Sequence, residues 1–258
     1  MIYKWNYEPL TQQEKENRDE LVDKLKINPA LCEILVKQGV VSEEDAQKFF
    51  HPNLKDLHDP FLLPDMDKAV DRIEKALGEK ERILIYGDYD VDGTTAVALV
   101  FKFLRQFTTN LDYYIPDRYD EGYGISSQGI DYAAETGVTL IIALDCGIKA
   151  IEKVNYAKEK GIDFIICDHH MPDLQLPDAV AVVDAKRVDS IYPYEHLSGC
   201  GVGFKLAQAL AINNKLEISE LKSLLDLVAV SIASDIVPVT GENRILAHFG
   251  LKQLNSSP

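Results

Sequence analysis

Positive charge is scarce beside negative charge in this sequence. Its 258 residues hold 27 lysines and arginines against 42 aspartates and glutamates, a formal net charge of −15. A broad basic surface of the kind that grips nucleic-acid backbones is therefore not expected, although bound divalent cations would invert the field of a local acidic cluster. Cysteine is sparse as well. Cys32, Cys146, Cys167 and Cys200 fall at no C-x-x-C or finger-like spacing, which argues against a zinc finger or disulfide framework and predicts buried free thiols in a reducing, cytoplasmic setting. No apolar run approaches the ~20 residues a membrane span needs, and 27% of the residues are charged. The opening "MIYKWNYEPLTQQEKENRDE" lacks the basic and apolar regions of a secretory signal, so neither membrane insertion nor export is expected.

What is present reads as two regions. Residues 1–80 carry helical apolar spacing, as in "ALCEILVKQG" and "SEEDAQKFF", with Ser42 and Asp45 resembling a capping box. This predicts a helical N-terminal region. From residue 81 the pattern changes to short apolar runs, "RILIYG" (82–87), "LDYYIP" (111–116), "TLIIALD" (139–145), "DFIICD" (163–168) and "AVAVVD" (179–184). Amphipathic stretches at 94–107, 127–136 and 148–160 lie between them. The alternation predicts an α/β domain over 81–258, a largely parallel sheet flanked by helices, with a helical C-terminal segment after about residue 198.

In an open parallel sheet, ligands bind beyond the carboxyl ends of the strands, so the residues standing there matter. The first run ends in Asp88, Asp90 and Asp92, the third in Asp145, and the fourth in Asp168, His169 and His170. Asp235 ends a helical apolar run in "SIASDIVPV". A single aspartate after a strand is commonly a helix cap, and a histidine pair in a loop is commonly structural. Three strand ends that supply only aspartate and histidine suit Mn²⁺ or Mg²⁺ instead. Two rival readings bear on "YGDYDVDGTTA". An EF-hand loop would need Glu at its twelfth position, where Leu99 stands. A haloacid-dehalogenase-like phosphatase would use Asp90 as nucleophile and Asp92 as its acid/base partner, but it leaves Asp88, Asp145 and the Asp168–His170 triplet without roles.

Taken in order, "YGDYDVDGTT", "LDCGI", "CDHH" and "ASDIVPV" resemble the four motifs of the DHH phosphoesterase superfamily, in wording nearest its RecJ branch. "IPDRYDEGYGIS" (115–126) and "LSGCGVGFKLAQAL" (197–210) extend the resemblance over most of residues 50–254. It implies a two-metal 5′-to-3′ exonuclease on single-stranded DNA, active in DNA repair and recombination and using Mn²⁺ or Mg²⁺. It further implies that Asp88 and Asp90 serve one ion, that Asp92, His169 and Asp235 serve the other, and that Asp145 bridges them. His170 would contact the scissile phosphate or protonate the leaving group, and Asp168 would orient an imidazole. Arg118 could meet a substrate phosphate or pair with an acidic neighbour, and Tyr123 could stack a base or simply pack in its loop. Gly199 and Gly201 could offer backbone N–H groups to an anion or serve close packing. The family continues into a second core domain and an OB-fold, neither present in this sequence, which implies an N-terminal portion of a longer enzyme. Superfamily relatives that cleave short oligonucleotides, cyclic dinucleotides or pyrophosphate form the alternative.

Overall fold

Short helices open the chain, each begun by a side chain that accepts from its first turn. α1 (Gln12–Leu25) starts at Thr11 with a full capping box to Glu14, α2 (Pro29–Lys37) at Asn28, and α3 (Glu43–Phe50) at Ser42, whose hydroxyl accepts from Asp45 N–H at 3.1 Å. Leu21, Cys32, Leu35, Val36, Val40 and Ala46 form their shared core. The structure, a computed structural model, describes residues 7–256, and these three helices make a unit of their own that ends at Lys55.

The second unit begins at Asp56. It runs α4 (Met66–Glu79), β1 (Ile83–Gly87), α5 (Val91–Leu104), β2 (Leu111–Tyr114), α6 (Ser127–Glu135), β3 (Leu140–Leu144), α7 (Ile151–Glu159), β4 (Asp163–Cys167), β5 (Ala181–Val183), α8 (Gly199–Asn213), α9 (Leu225–Ser234) and α10 (Gly241–Ser256). The boundary falls at 55/56 and not near residue 80, because α4 buries Met66, Ala69, Val70, Ile73 and Ala76 and packs on β5 and α8. Helical periodicity marked α4 as a helix but carried no information about which body it joins.

All five strands are parallel, in the order β2-β1-β3-β4-β5. Strands β1, β3 and β5 are wholly buried, as expected of a parallel sheet covered on both faces. One face packs on α6 and α7 through a core that includes Leu84, Tyr86, Ile141, Ala143, Phe164 and Ile166. The other receives α5, α8 and α4, with α9 and then α10 stacked outside. Because β2 and β3 leave β1 on opposite sides, the strand order reverses between β1 and β3, the place where open α/β sheets bind ligands.

Register then fixes the site. Gly87 pairs with Leu144, Leu144 with Cys167, and Cys167 with Val183. The residues that follow are Asp88, Asp145, Asp168 and Asp184, so the carboxyl edge of the sheet carries a row of four aspartates. All four are buried.

Candidate metal centre

Each acid in the row has different partners. Asp88 Oδ1 accepts from Gly124 N–H at 3.2 Å, while its Oδ2 is buried with no partner; burial pushes this carboxyl up from its ordinary value. The covering loop is pinned from below by Tyr86 on β1, whose hydroxyl donates to Gly124 O at 2.9 Å and accepts from Ser126 N–H at 3.0 Å. Asp90 is exposed and caps α5, its Oδ1 accepting from Gly93 N–H at 2.9 Å.

Asp92 reaches across to the other end of the sequence. Its Oδ2 accepts from Gly199 N–H at 2.7 Å, and its Oδ1 accepts from Cys200 N–H and Ser231 Oγ, both at 2.7 Å. The N-terminus of α8 is thus occupied by a carboxylate of this chain, and Gly201 N–H is taken by Ser198 Oγ at 3.1 Å. This corrects the anion-binding reading of Gly199 and Gly201, whose N–H groups are used internally. The glycine at 199 serves close approach instead, since a Cβ there would lie 2.5 Å from Asp145 Oδ1.

Asp145 holds a left-handed backbone, φ 59°, a region that aspartate and asparagine enter more readily than other side-chain-bearing residues. Burial, and after it the nearby Asp92, Asp90 and Asp168 carboxylates, push it up to about 10. His169 Nε2 lies 3.1 Å from Asp145 Oδ1, 3.7 Å from Asp92 Oδ2 and 3.8 Å from Asp235 Oδ2. The 3.1 Å approach lacks hydrogen-bond alignment, so Asp145 Oδ1 is left with no donor. Asp235 ends α9 as its C-cap, and burial is the main cause raising its carboxyl.

Asp168 is fully engaged. Its Oδ2 accepts from Ile148 N–H at 2.9 Å, and its Oδ1 accepts from His169 N–H at 2.7 Å and lies 2.8 Å from His170 Nδ1. Burial opposes ionisation, but the His170 hydrogen bond and charge with the backbone donors hold Asp168 below the usual carboxylate range. The same bond raises His170. The imidazole that Asp168 contacts is that of His170.

Beyond the acids, Tyr123 Oη lies 3.2 Å from His170 Nε2, and its ring meets those of Tyr89 and His170 edge-on. Arg118 sits over the Tyr89 ring, 5.2 Å from its centroid. The loop acids Asp117 and Glu121 are spent on their own loop, accepting from Tyr119, Asp120 and Asp117 N–H groups and from Tyr114 and Ser126 hydroxyls. Asp184, the fourth acid of the row, was not singled out by sequence reasoning; its place at the end of a strand-like run was the available signal.

Two sets of ligand atoms lie within 4.8 Å of one another, one from Asp145, His169 and His170 and one from Asp92, His169 and Asp235. Buried carboxylate oxygens without donors, raised carboxyl pKa values and a donor set of carboxylate and imidazole all fit hard divalent cations such as Mn²⁺ or Mg²⁺.

Residues 82–232 match the family model "DHH family, N-terminal domain". The single-stranded-DNA-specific exonuclease RecJ of Bacillus subtilis (strain 168) is 43% identical over 235 residues, covering 91% of this chain and 29% of that protein. RecJ of Escherichia coli (strain K12) is 33% identical over 249 residues, covering 92% and 42%. Among solved structures, an exonuclease RecJ bound to manganese superposes with a TM-score of 0.69 at 32% identity, covering 76% of this chain and 49% of that one. RecJ in complex with Mn²⁺ from Thermus thermophilus gives a TM-score of 0.77 at 26% identity, covering 94% and 34%. The chain spans less than half the length of each of these relatives.

Proposed function

The chain belongs to the DHH family, and we propose that it carries the metal-dependent cutting centre of an exonuclease that hydrolyses single-stranded DNA from the 5′ end to mononucleotides. One observation carries this reading. The acids at the carboxyl edge of the sheet, joined by His169 and Asp235, present buried oxygens that lack donors, and the chain is similar to exonucleases specific for that substrate.

In this reading the residents are two Mn²⁺ or Mg²⁺ ions, as the manganese-bound relatives support. Asp88 and Asp90 would hold one, Asp92, His169 and Asp235 the other, with Asp145 between them. Such ions, when bound, lower the pKa of a coordinated water and offset the charge of a phosphodiester. The chain's own residues supply the rest. His170, whose imidazolium is favoured by its bond to Asp168, turns Nε2 toward Tyr123 and away from Asp168, the position from which the charged ring can donate to a phosphate oxygen or the leaving oxygen. Tyr123 and Tyr89 offer ring faces for bases, and Arg118 a guanidinium for a phosphate.

A net charge of −15 leaves little for a basic groove, so single-stranded DNA is held by this chain mainly through the metal centre and that aromatic rim. Four buried free cysteines suit a reducing compartment, the cytoplasm. Among the described residues no helix is long and apolar enough to cross a membrane.

The test is hydrolysis of 5′-labelled and 3′-labelled single-stranded oligonucleotides with Mn²⁺, and with EDTA as control. Labelled mononucleotide should leave the 5′-labelled strand at once and the 3′-labelled strand last. A ladder growing from the 3′ end would overturn the polarity. Faster cleavage of dinucleotides or cyclic dinucleotides than of the strand would favour the small-substrate branch of the family.

A further inference from the structure

A cation accounts for the donor-less oxygens of Asp88 and Asp145, but not for His169 Nδ1. Nε2 is the atom that approaches Asp145, Asp92 and Asp235, so Nδ1 is the ring nitrogen left over, and it is buried without a partner. A metal-binding imidazole almost always donates its other N–H to a carboxylate, carbonyl or water, which fixes the tautomer and leaves the ligating nitrogen bare.

A candidate acceptor follows the neighbouring strand, out of direct hydrogen-bond reach. Asp184 is fully buried and its Oδ2 likewise lacks a partner. It follows Val183, which pairs with Cys167, and the ladder continues one step further through Asp168 N–H donating to Val183 O at 3.1 Å. The segment after β5 is also tied to His169 itself, because Lys186 Nζ donates to His169 O. Asp184 Oδ1 is already taken, accepting from Lys186 N–H at 2.6 Å, so Oδ2 is the free oxygen. His169 is among the groups whose charge Asp184 feels, after the larger effect of burial.

We propose that Asp184 is a positioning residue for His169, its free Oδ2 taking up the Nδ1–H through one buried water, so that Nε2 is presented bare to the cation. This rests on the reading of His169 as a metal ligand, and it adds a residue outside the four motifs. The isosteric change Asp184→Asn separates this role from simple packing. Lys186 N–H requires an acceptor, so the amide oxygen takes the Oδ1 position and the NH₂ group faces Nδ1. A donor facing Nδ1 forces the proton to Nε2, the tautomer that cannot ligate.

The experiment is a long-range ¹H–¹⁵N histidine spectrum of the metal-free chain, wild type against Asp184→Asn and Asp184→Ala, with calorimetric Mn²⁺ titration of all three. Wild type should show His169 protonated at Nδ1. Asp184→Asn should show it at Nε2 and bind Mn²⁺ about 10–100-fold more weakly, with Asp184→Ala between the two in tautomer. An Nδ1–H tautomer unchanged in both variants would overturn the proposal, as would Mn²⁺ affinity within twofold of wild type in a variant whose tautomer has moved. His169→Ala is the separate control: undiminished Mn²⁺ affinity there would mean that His169 is no ligand, while the metal-free spectra would still decide whether Asp184 sets its tautomer.

Discussion

Asp168 Oδ1 and His170 Nδ1 stand 2.8 Å apart, and each moves the other's proton equilibrium. The imidazolium is favoured at His170 and the carboxylate at Asp168. A histidine whose folded pKa is raised adds stability that is fully present below its unfolded value, about 6.5, and is lost as pH rises through the folded value. The depressed Asp168 adds stability present above about 3.9 and lost as pH falls through its folded value. In the metal-free chain, Asp168→Asn should therefore lower the His170 pKa measured by NMR. It should cost about 1–3 kcal/mol near pH 5–6, with a smaller deficit once His170 is neutral. A His170 pKa that stays put would remove Asp168 from this role.

Asp145 works in the opposite sense. Its carboxyl is raised to about 10, so the folded chain holds this proton more tightly than the unfolded chain and loses stability as pH climbs from about 4 toward that value. Asp145→Asn should melt a few degrees higher than wild type at pH 8 in EDTA, with a smaller gap at pH 5. Saturating Mn²⁺ should reverse the order. Asp145→Ala should fall below Asp145→Asn, because the left-handed backbone costs alanine about 1 kcal/mol more. Parallel pH profiles for wild type and Asp145→Asn would contradict the buried-charge account.

Gly199→Ala should strike the same carboxylate from the other side. Its Cβ would meet Asp145 Cβ and Oδ1, each at 2.5 Å, and overpacking of this kind costs about 1–3 kcal/mol. Calorimetry should record weaker Mn²⁺ binding along with the lower melting temperature. Gly78→Ala is the matched control. It lies in α4 with nothing within 4 Å of the new Cβ, and should stabilise by about 0.5–1 kcal/mol.

Away from the site, Lys205 is fully buried, its ammonium 3.0 Å from Glu242 Oε1 and 2.7 Å from His58 O. Glu242 also accepts from Tyr192 Oη and from His58 N–H. Lys205→Met should cost about 3–5 kcal/mol in urea denaturation, since it strands a buried carboxylate. Adding Glu242→Gln to Lys205→Met should recover part of that loss. A double variant as unstable as the sum of the singles would mean that the two charges are not coupled.

Much of this was legible in the sequence. The strands formed where apolar runs lay between amphipathic segments, and β1, β3 and β4 ended on the acids that "DYDVDG", "LDCG" and "CDHH" display. Periodicity reports local burial, and strand ends follow from it. What it cannot report is contact between segments far apart in the chain. Asp92 and Gly199 lie 107 residues apart, so a glycine that could serve an anion or close packing proved to donate to an internal acid. Arg118 lies among acidic neighbours in sequence but settles on Tyr89, while Asp117 and Glu121 accept bonds from their own loop and its flanks. Asp184 escaped notice because its neighbours Ala185 and Lys186 carry no motif, and its value comes only from the register of β5 on β4.

The hold of α8 on Asp92 also bears on how ions would enter and leave. A helix N-terminus presents roughly half a positive charge, and here it is spent in advance on a carboxylate that would otherwise repel Asp145 and Asp235. Part of the work of assembling the acids is done by the fold before any ion arrives. Exchange of one divalent ion for another then requires no melting of the surrounding backbone, and amide hydrogen exchange along residues 198–204 should be nearly as slow in EDTA as in Mn²⁺.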